Sequence, residues 1–242
     1  MTTAPLPAQL DDLSDLVATG PVDLGAYTQA EMAVVLGDVP ALAGVQEEVL
    51  AEAVRSLAAR GLLHRRPGES TVEIVGDLGL IVSLVASSVG AMDVRRGHPG
   101  APDEPWRWLI SVFANDIAGV DRIDALGLHR LALHATHDLT RIIADRLIDG
   151  KARIPDSSGS PVPVTSAEVR RATQRATTRW QVIQRVLRSD GTRLVVDAVV
   201  LRTGESRVDL ITRAPDSDDG YQRIAVDHGT LEAFLAGLFA LR

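Results

Sequence analysis

The sequence predicts an α+β protein in which one unit, helix–four strands–helix, occurs twice in tandem, giving a pseudo-two-fold pair around an antiparallel sheet. Three observations predict it. In the last third, runs rich in Val, Ile, Leu and Thr (Thr178–Arg188, Thr192–Arg202, Ser206–Arg213 and Tyr221–Val226) are separated by turn residues such as Ser189-Asp190-Gly191 and Thr203-Gly204-Glu205. That is the signature of a β-meander. A closing helix from about Gly229 to Leu241 carries Leu231, Phe234, Leu235, Leu238 and Leu241 on one stripe. The same order of elements occurs earlier, and its closing helix matches at a constant offset. Leu139, Ile142, Ile143 and Leu147 fall on Leu231, Phe234, Leu235 and Phe239, 92 residues further on.

Residues 1–76 read as a small N-terminal helical segment. Ala8–Val17 suits a short helix, and Thr28-Gln29-Ala30-Glu31 is a capping-box pattern opening a second through Leu36, broken by Gly37-Asp38-Val39-Pro40. Gln46–Arg60 forms a third, with Val49, Leu50, Ala53, Val54 and Leu57 inward and Gly61 as its stop. Pro67-Gly68 then leads into a strand over Thr71–Val75.

The first half spans residues 77–150. Asp77 caps a helix carrying Leu78, Ile81, Val82 and Val85, and strands follow at Ala91–Arg96, Trp106–Phe113, Gly119–Leu126 and Leu128–His134. A Ser/Gly/Pro-containing linker, 151–164, joins it to the second half, 165–242. That half opens with Ser166–Ala176, a helix begun by the capping box Thr165-Ser166-Ala167-Glu168. Polar caps, Thr136-His137-Asp138 and Asp227-His228, precede the two closing helices. Trp106, Trp108 and Trp180 fall at the starts of corresponding strands, where buried indoles are expected.

Composition narrows the function. With 242 residues the chain can bury a sizeable core without staples. It has no Cys, so disulfides, thiolate metal sites and thiol nucleophiles are excluded. The first residues lack a basic and apolar leader, and no apolar run reaches the ~18 residues that span a bilayer. The expectation is a cytoplasmic protein with no membrane partner. A net charge of −7 disfavours nucleic acid, because duplex binding requires clustered cations against phosphate.

No constellation asks for catalysis. His129, His134 and His137 lie close in sequence beside Asp138, but strand alternation turns His134 away from His129 and Leu131. Asp216–Gly220 fails as a calcium loop: with Gly220 as its sixth residue, the twelfth position is Val226 and not Glu. Phosphate-loop and nucleophile-elbow patterns are absent from the sequence. The chain is therefore expected to be a binding protein, not an enzyme, with no catalytic residue, metal ligand or cofactor.

A rival comes from the front of the chain. Helix, turn, helix, then a Pro-Gly strand turn is the order of a winged helix-turn-helix, which suggests a transcriptional regulator with a C-terminal sensor domain. Glu47, Glu48 and Glu52 at the entering end of Gln46–Arg60 argue against a groove-reading helix. They suit a helix N-terminus without any DNA.

The chain resembles the EspG family of ESX (type VII) secretion chaperones. The order of parts carries the resemblance. A helical segment ends Leu57-Ala58-Ala59-Arg60-Gly61-Leu62, two pseudo-symmetric halves follow, and Asp216-Ser217-Asp218-Asp219-Gly220-Tyr221 stands before the last strand and helix. The family typically has Asp-Thr and then Gly-Arg-Tyr there. In this chain Gly220 meets Tyr221 directly and the Arg arrives only at Arg223. The resemblance covers the chain from about Val22. It implies a cytosolic chaperone, not an enzyme, that masks the apolar tip of a helical PE–PPE-like or WxG-like heterodimer before export. By that analogy the contacts lie near the Gly97–Pro105 loop and the C-terminal helices, with Arg95, Arg96, His98, Trp106, Leu238 and Phe239 as candidates.

Overall fold

The computed structural model describes residues 7–37, 46–65, 68, 72–97, 106–113, 116–148, 158–187, 193–204, 206–214 and 220–240. His98, most of the Gly97–Pro105 loop, the start of the 151–164 linker and the Asp216–Asp219 run lie outside them.

Two meanders form the centre. In the first half β4 (Gly90–Arg96), β5 (Arg107–Val112), β6 (Ile117–Ile123) and β7 (Leu128–Ala135) lead into α5 (Thr136–Ile148). In the second half β9 (Thr178–Leu187), β10 (Arg193–Thr203), β11 (Arg207–Arg213) and β12 (Tyr221–Ala225) lead into α7 (His228–Ala240). The meanders meet antiparallel at β4 and β9, from Gly90 opposite Val186 to Arg96 opposite Trp180. With β1 (Val22–Thr28) and β8 (Val162–Val164) at its edges, the outcome is one ten-stranded antiparallel sheet, ordered β1-β7-β6-β5-β4-β9-β10-β11-β12-β8. Read outward from the β4–β9 seam, the order is that of two equivalent five-stranded halves.

The two edge strands were not legible in the sequence. β1 (Val22–Thr28) pairs with β7, and β8 (Val162–Val164) pairs with β12, so part of the N-terminal segment and the end of the linker both join the sheet. β1 hides its alternation behind a register shift between Asp23 and Gly25, where Gly25 takes φ 99°. β8 is three residues long and contains Pro163, which an edge strand tolerates.

Each edge strand runs into a helix through the same device. Thr28 and Glu31 form a capping box at α2 (Gln29–Leu36), and Thr165 and Glu168 form one at α6 (Ser166–Arg175). By connectivity, then, α6 corresponds to α2. The helix the sequence pairs with it, α4 (Gly76–Ala86), belongs to an insertion of the first half that also holds α3 (Glu47–Ala59) and the small β2 (Leu63–Arg65)–β3 (Val72–Ile74) hairpin. Trp180 likewise lies on β9, the partner of β4, and Trp106 and Trp108 flank the start of β5, so these indoles are not counterparts. β6 ends at Ile123 and not at Leu126, because the Asp124 carboxylate accepts the N–H groups of Leu126 and Leu128 and turns the chain.

Helices α5 and α7 lie side by side on one face of the sheet. Leu139, Ile143 and Leu147 from one half and Leu231, Leu235 and Phe239 from the other share a single apolar cluster with Met92, Val94, Trp108, Ile110, Trp180, Val182, Ala198 and Val200 of the central strands. Each large aliphatic side chain fully buried there contributes about 1.5–3 kcal/mol, so the two halves are stabilised jointly. On the opposite face, among the described residues, only the first half has a second core, built by α1 (Pro7–Ala18), α2, α3 and α4 over β1, β6 and β7. In that core α3 buries Ala53 and Leu57 alone, and Val49 and Val54, inward by periodicity, face solvent, because α3 packs at the periphery mainly against α2. Val85 of α4 is likewise exposed, its place taken by Leu84. The second half carries α6 on that side, and α6 buries no residue.

Candidate protein-binding groove

The sequence places small residues along one side of α7: Gly229, Ala233, Ala236 and Ala240 recur at helical spacing. The other side of the helix holds the large core residues. Where α7 packs against α5, this asymmetry leaves a groove of about 630 Å³ between them. Thr136, His137 and Thr140 at the start of α5 and Asp116 in the turn before β6 form one wall. Glu232 and Phe239 join the small residues on the other.

The groove's walls are held firmly. Asp116 adopts φ 57°, a left-handed conformation that aspartate tolerates, and its carbonyl accepts the Thr136 N–H at 2.8 Å where α5 begins. Asp227 caps α7: its carboxylate accepts the Thr230 N–H at 2.6 Å, and that backbone bond holds the carboxyl below its usual range. The rim is mixed but acidic. Asp116 and Glu232 face it, His137 is well exposed, and His228 bridges Asp145 and Glu232 at 2.8 and 3.6 Å.

The candidate contact residues do not gather into one patch. Leu238 and Phe239 are each 4% exposed and belong to the shared core, although Phe239 also forms part of the groove wall. The Leu238 carbonyl accepts a hydrogen bond from the Gln184 side chain of β9. Both residues therefore hold α7 to the sheet. Trp106 is half-buried and donates its indole N–H to the Asp124 carbonyl at 3.0 Å. Arg96 lies 6.0 Å from the Trp180 ring centroid, on the α5/α7 face.

Arg95 belongs to a different cluster on the bare face of the sheet. Its guanidinium and that of Arg107 clamp Asp93, with Arg95 Nε at 2.8 Å and Arg107 Nη2 at 2.9 Å. Burial alone would push the Asp93 carboxyl up, but the bonds from Arg107 and Arg95, with their charges, hold it below the usual carboxylate range. Ala91, Leu109, Ser111 and Arg185 surround the cluster in a shallow depression of about 410 Å³. Periodicity marks Arg95 as outward-facing, but nothing in the sequence shows that a neighbouring strand brings Arg107 onto the same carboxylate.

The histidines divide as strand alternation requires. His129 bonds to Asp121 and to Gln29 of α2, at 2.7 and 2.8 Å. His134 faces the other way beside Ala118, and burial followed by the Arg122 charge pushes its pKa down. Among the described residues no group of three or more His, Cys, Asp or Glu side chains could hold a metal ion, and no helix is long and apolar enough to cross a membrane. Compared with known proteins, the chain matches no family profile and no curated sequence.

Proposed function

We propose that this protein is a chaperone that binds a helical secretion substrate of the PE–PPE or WxG type and keeps it soluble before export, in the manner of the EspG family it resembles. One observation carries the reading: the α5–α7 groove combines a floor of small residues with an acidic, polar rim. Gly and Ala allow a partner helix to approach closely, and apolar side chains at i, i+3, i+4 and i+7 of that helix would fill the floor. Asp116 and Glu232 favour a partner with Lys or Arg flanking its apolar stripe. A stable complex would bury about 1,200–2,000 Å², so the groove would be the centre of a larger contact.

The test is co-expression of the full chain with a PE–PPE-type or WxG-type heterodimer, followed by size-exclusion chromatography. A soluble complex is expected, and Ala236→Trp, which fills the groove from an exposed position, is expected to abolish it while leaving the circular dichroism spectrum unchanged. If the complex survives both Ala236→Trp and Ala233→Trp, the groove is not the binding site.

The regulator reading has one observation in its favour. The order α2, α3 and then the β2–β3 hairpin is that of a winged helix. Arg55 and Arg60 are already engaged, however. Arg55 pairs with Glu52 at 2.7 Å, and Arg60 bonds Glu31 and stacks 4.6 Å from the Tyr27 ring centroid. A salt-sensitive gel shift lost on reversing Arg55, Arg60, Arg65 and Arg66 would favour the regulator instead.

A further inference from the structure

On the face away from the groove, α2 and α4 stand over β5, β6 and β7 and enclose a cavity of about 140 Å³. Leu24, Met32, Ile81, Leu84, Phe113 and Leu131 line it. An apolar cavity of about 150 Å³ is the size that accepts a benzene ring. Leu36 and Val85, at the ends of α2 and α4, line its outer part and are 48% and 41% exposed, so the approach from solvent is apolar too.

One charged group stands on this wall, Asp121 of β6. Its Oδ2 accepts the His129 Nδ1–H at 2.7 Å, and His129 Nε2 is held in turn by Gln29 at 2.8 Å. Oδ1 is buried and accepts no hydrogen bond from the described residues. A buried carboxylate oxygen left unpaired is costly, so the group it faces should be a donor. Ser111 is the other polar side chain on the wall. A water filling this space would find few of the two to four partners it needs.

We propose that the cavity is a binding site for a small single-ring alcohol of phenol type: the ring occupies the apolar space and the hydroxyl donates to Asp121 Oδ1. The relay from Gln29 through His129 fixes the carboxylate in advance, so no side chain needs to be ordered on binding. This site is independent of the α5–α7 groove and lies on the opposite face of the sheet.

The experiment uses the full chain with phenol and toluene as probes, read by calorimetry and by nuclear Overhauser contacts from the ligand ring. The unmodified protein is expected to bind phenol, with contacts to Phe113 and to the Leu131 methyl groups. In Asp121→Asn the amide oxygen keeps the bond from His129 and the NH₂ is turned to the ligand, so the charged acceptor for the phenol O–H is lost and only a weaker neutral bond to the phenol oxygen can replace it. Phenol is then expected to bind at least about tenfold more weakly while toluene is unaffected. No phenol binding, contacts mapping elsewhere, or phenol and toluene weakened alike would each overturn the assignment. Because the contacts are measured on the unmodified chain, the proposal stays testable even if Asp121→Asn does not fold.

Discussion

His228 Nε2 lies 2.8 Å from Asp145 Oδ1, tying the first turn of α7 to the closing helix of the other half. The pair is a poor guide to what joins the halves, because the Asp145 side chain is largely open to water and His228 is partly so. Exposed ion pairs contribute about 0–1 kcal/mol. Beneath them Leu235 is wholly buried in the shared cluster. His228→Ala should therefore cost less than about 1 kcal/mol, and Leu235→Ala about 2–5 kcal/mol. Urea unfolding followed by both Trp fluorescence and far-ultraviolet dichroism should show one transition for each variant. Two separated transitions in Leu235→Ala would mean the halves do not share a core.

The Asp93 clamp makes acid stability predictable. Its carboxyl is held below the ordinary value of about 3.9, so the stability it adds is fully present above that value and is lost as pH falls through the lowered one. Asp93→Asn should cost about 1–3 kcal/mol at pH 7, at the lower end if Arg95 and Arg107 rehydrate. Near pH 2.5 the gap between variant and parent should shrink. An equal gap at both pH values in urea titrations would show that Asp93 is not ionised in the fold.

The two capping boxes should differ in weight although their pattern is the same. Glu31 is buried and, besides closing the box, accepts a bond from Ser56 Oγ at 2.7 Å and from Arg60, joining α2 to α3. Glu168 is exposed and serves its own helix alone. Glu31→Ala should cost about 1–3 kcal/mol. Glu168→Ala should lower the thermal midpoint far less, and equal shifts in differential scanning calorimetry would contradict this account.

Two helical glycines should respond with opposite signs. A Cβ on Gly79 would stand 2.7 Å from the Ile74 carbonyl oxygen, a backbone atom that cannot move aside. Gly79→Ala should cost about 1–3 kcal/mol as α4 is pushed off β3. A Cβ on Gly237 would meet nothing within 4 Å, so Gly237→Ala should add about 0.4–1 kcal/mol by restricting the unfolded chain. Chemical denaturation midpoints of the two variants, measured side by side, check both signs.

Much of the architecture is written in local pattern. The meander strands, the closing helices and the capping boxes at Thr28 and Thr165 each follow from spacing a few residues long, where turn chemistry and periodicity act without help from distant chain. The α+β class and the doubled unit are legible for the same reason. β1 and β8 are not: one is broken by a glycine bulge, the other is three residues with a proline, and each is a strand only because β7 or β12 offers an unpaired edge. Nor do local signals show that Arg95 and Arg107 converge on Asp93, or that Asp121, His129 and Gln29 form a relay, since those contacts join residues as many as 100 positions apart. Backbone preference is a property of neighbours in sequence, whereas burial and charge pairing are properties of neighbours in space. Only the assembled sheet and its helix layers could decide which side chains became core, rim or cavity wall.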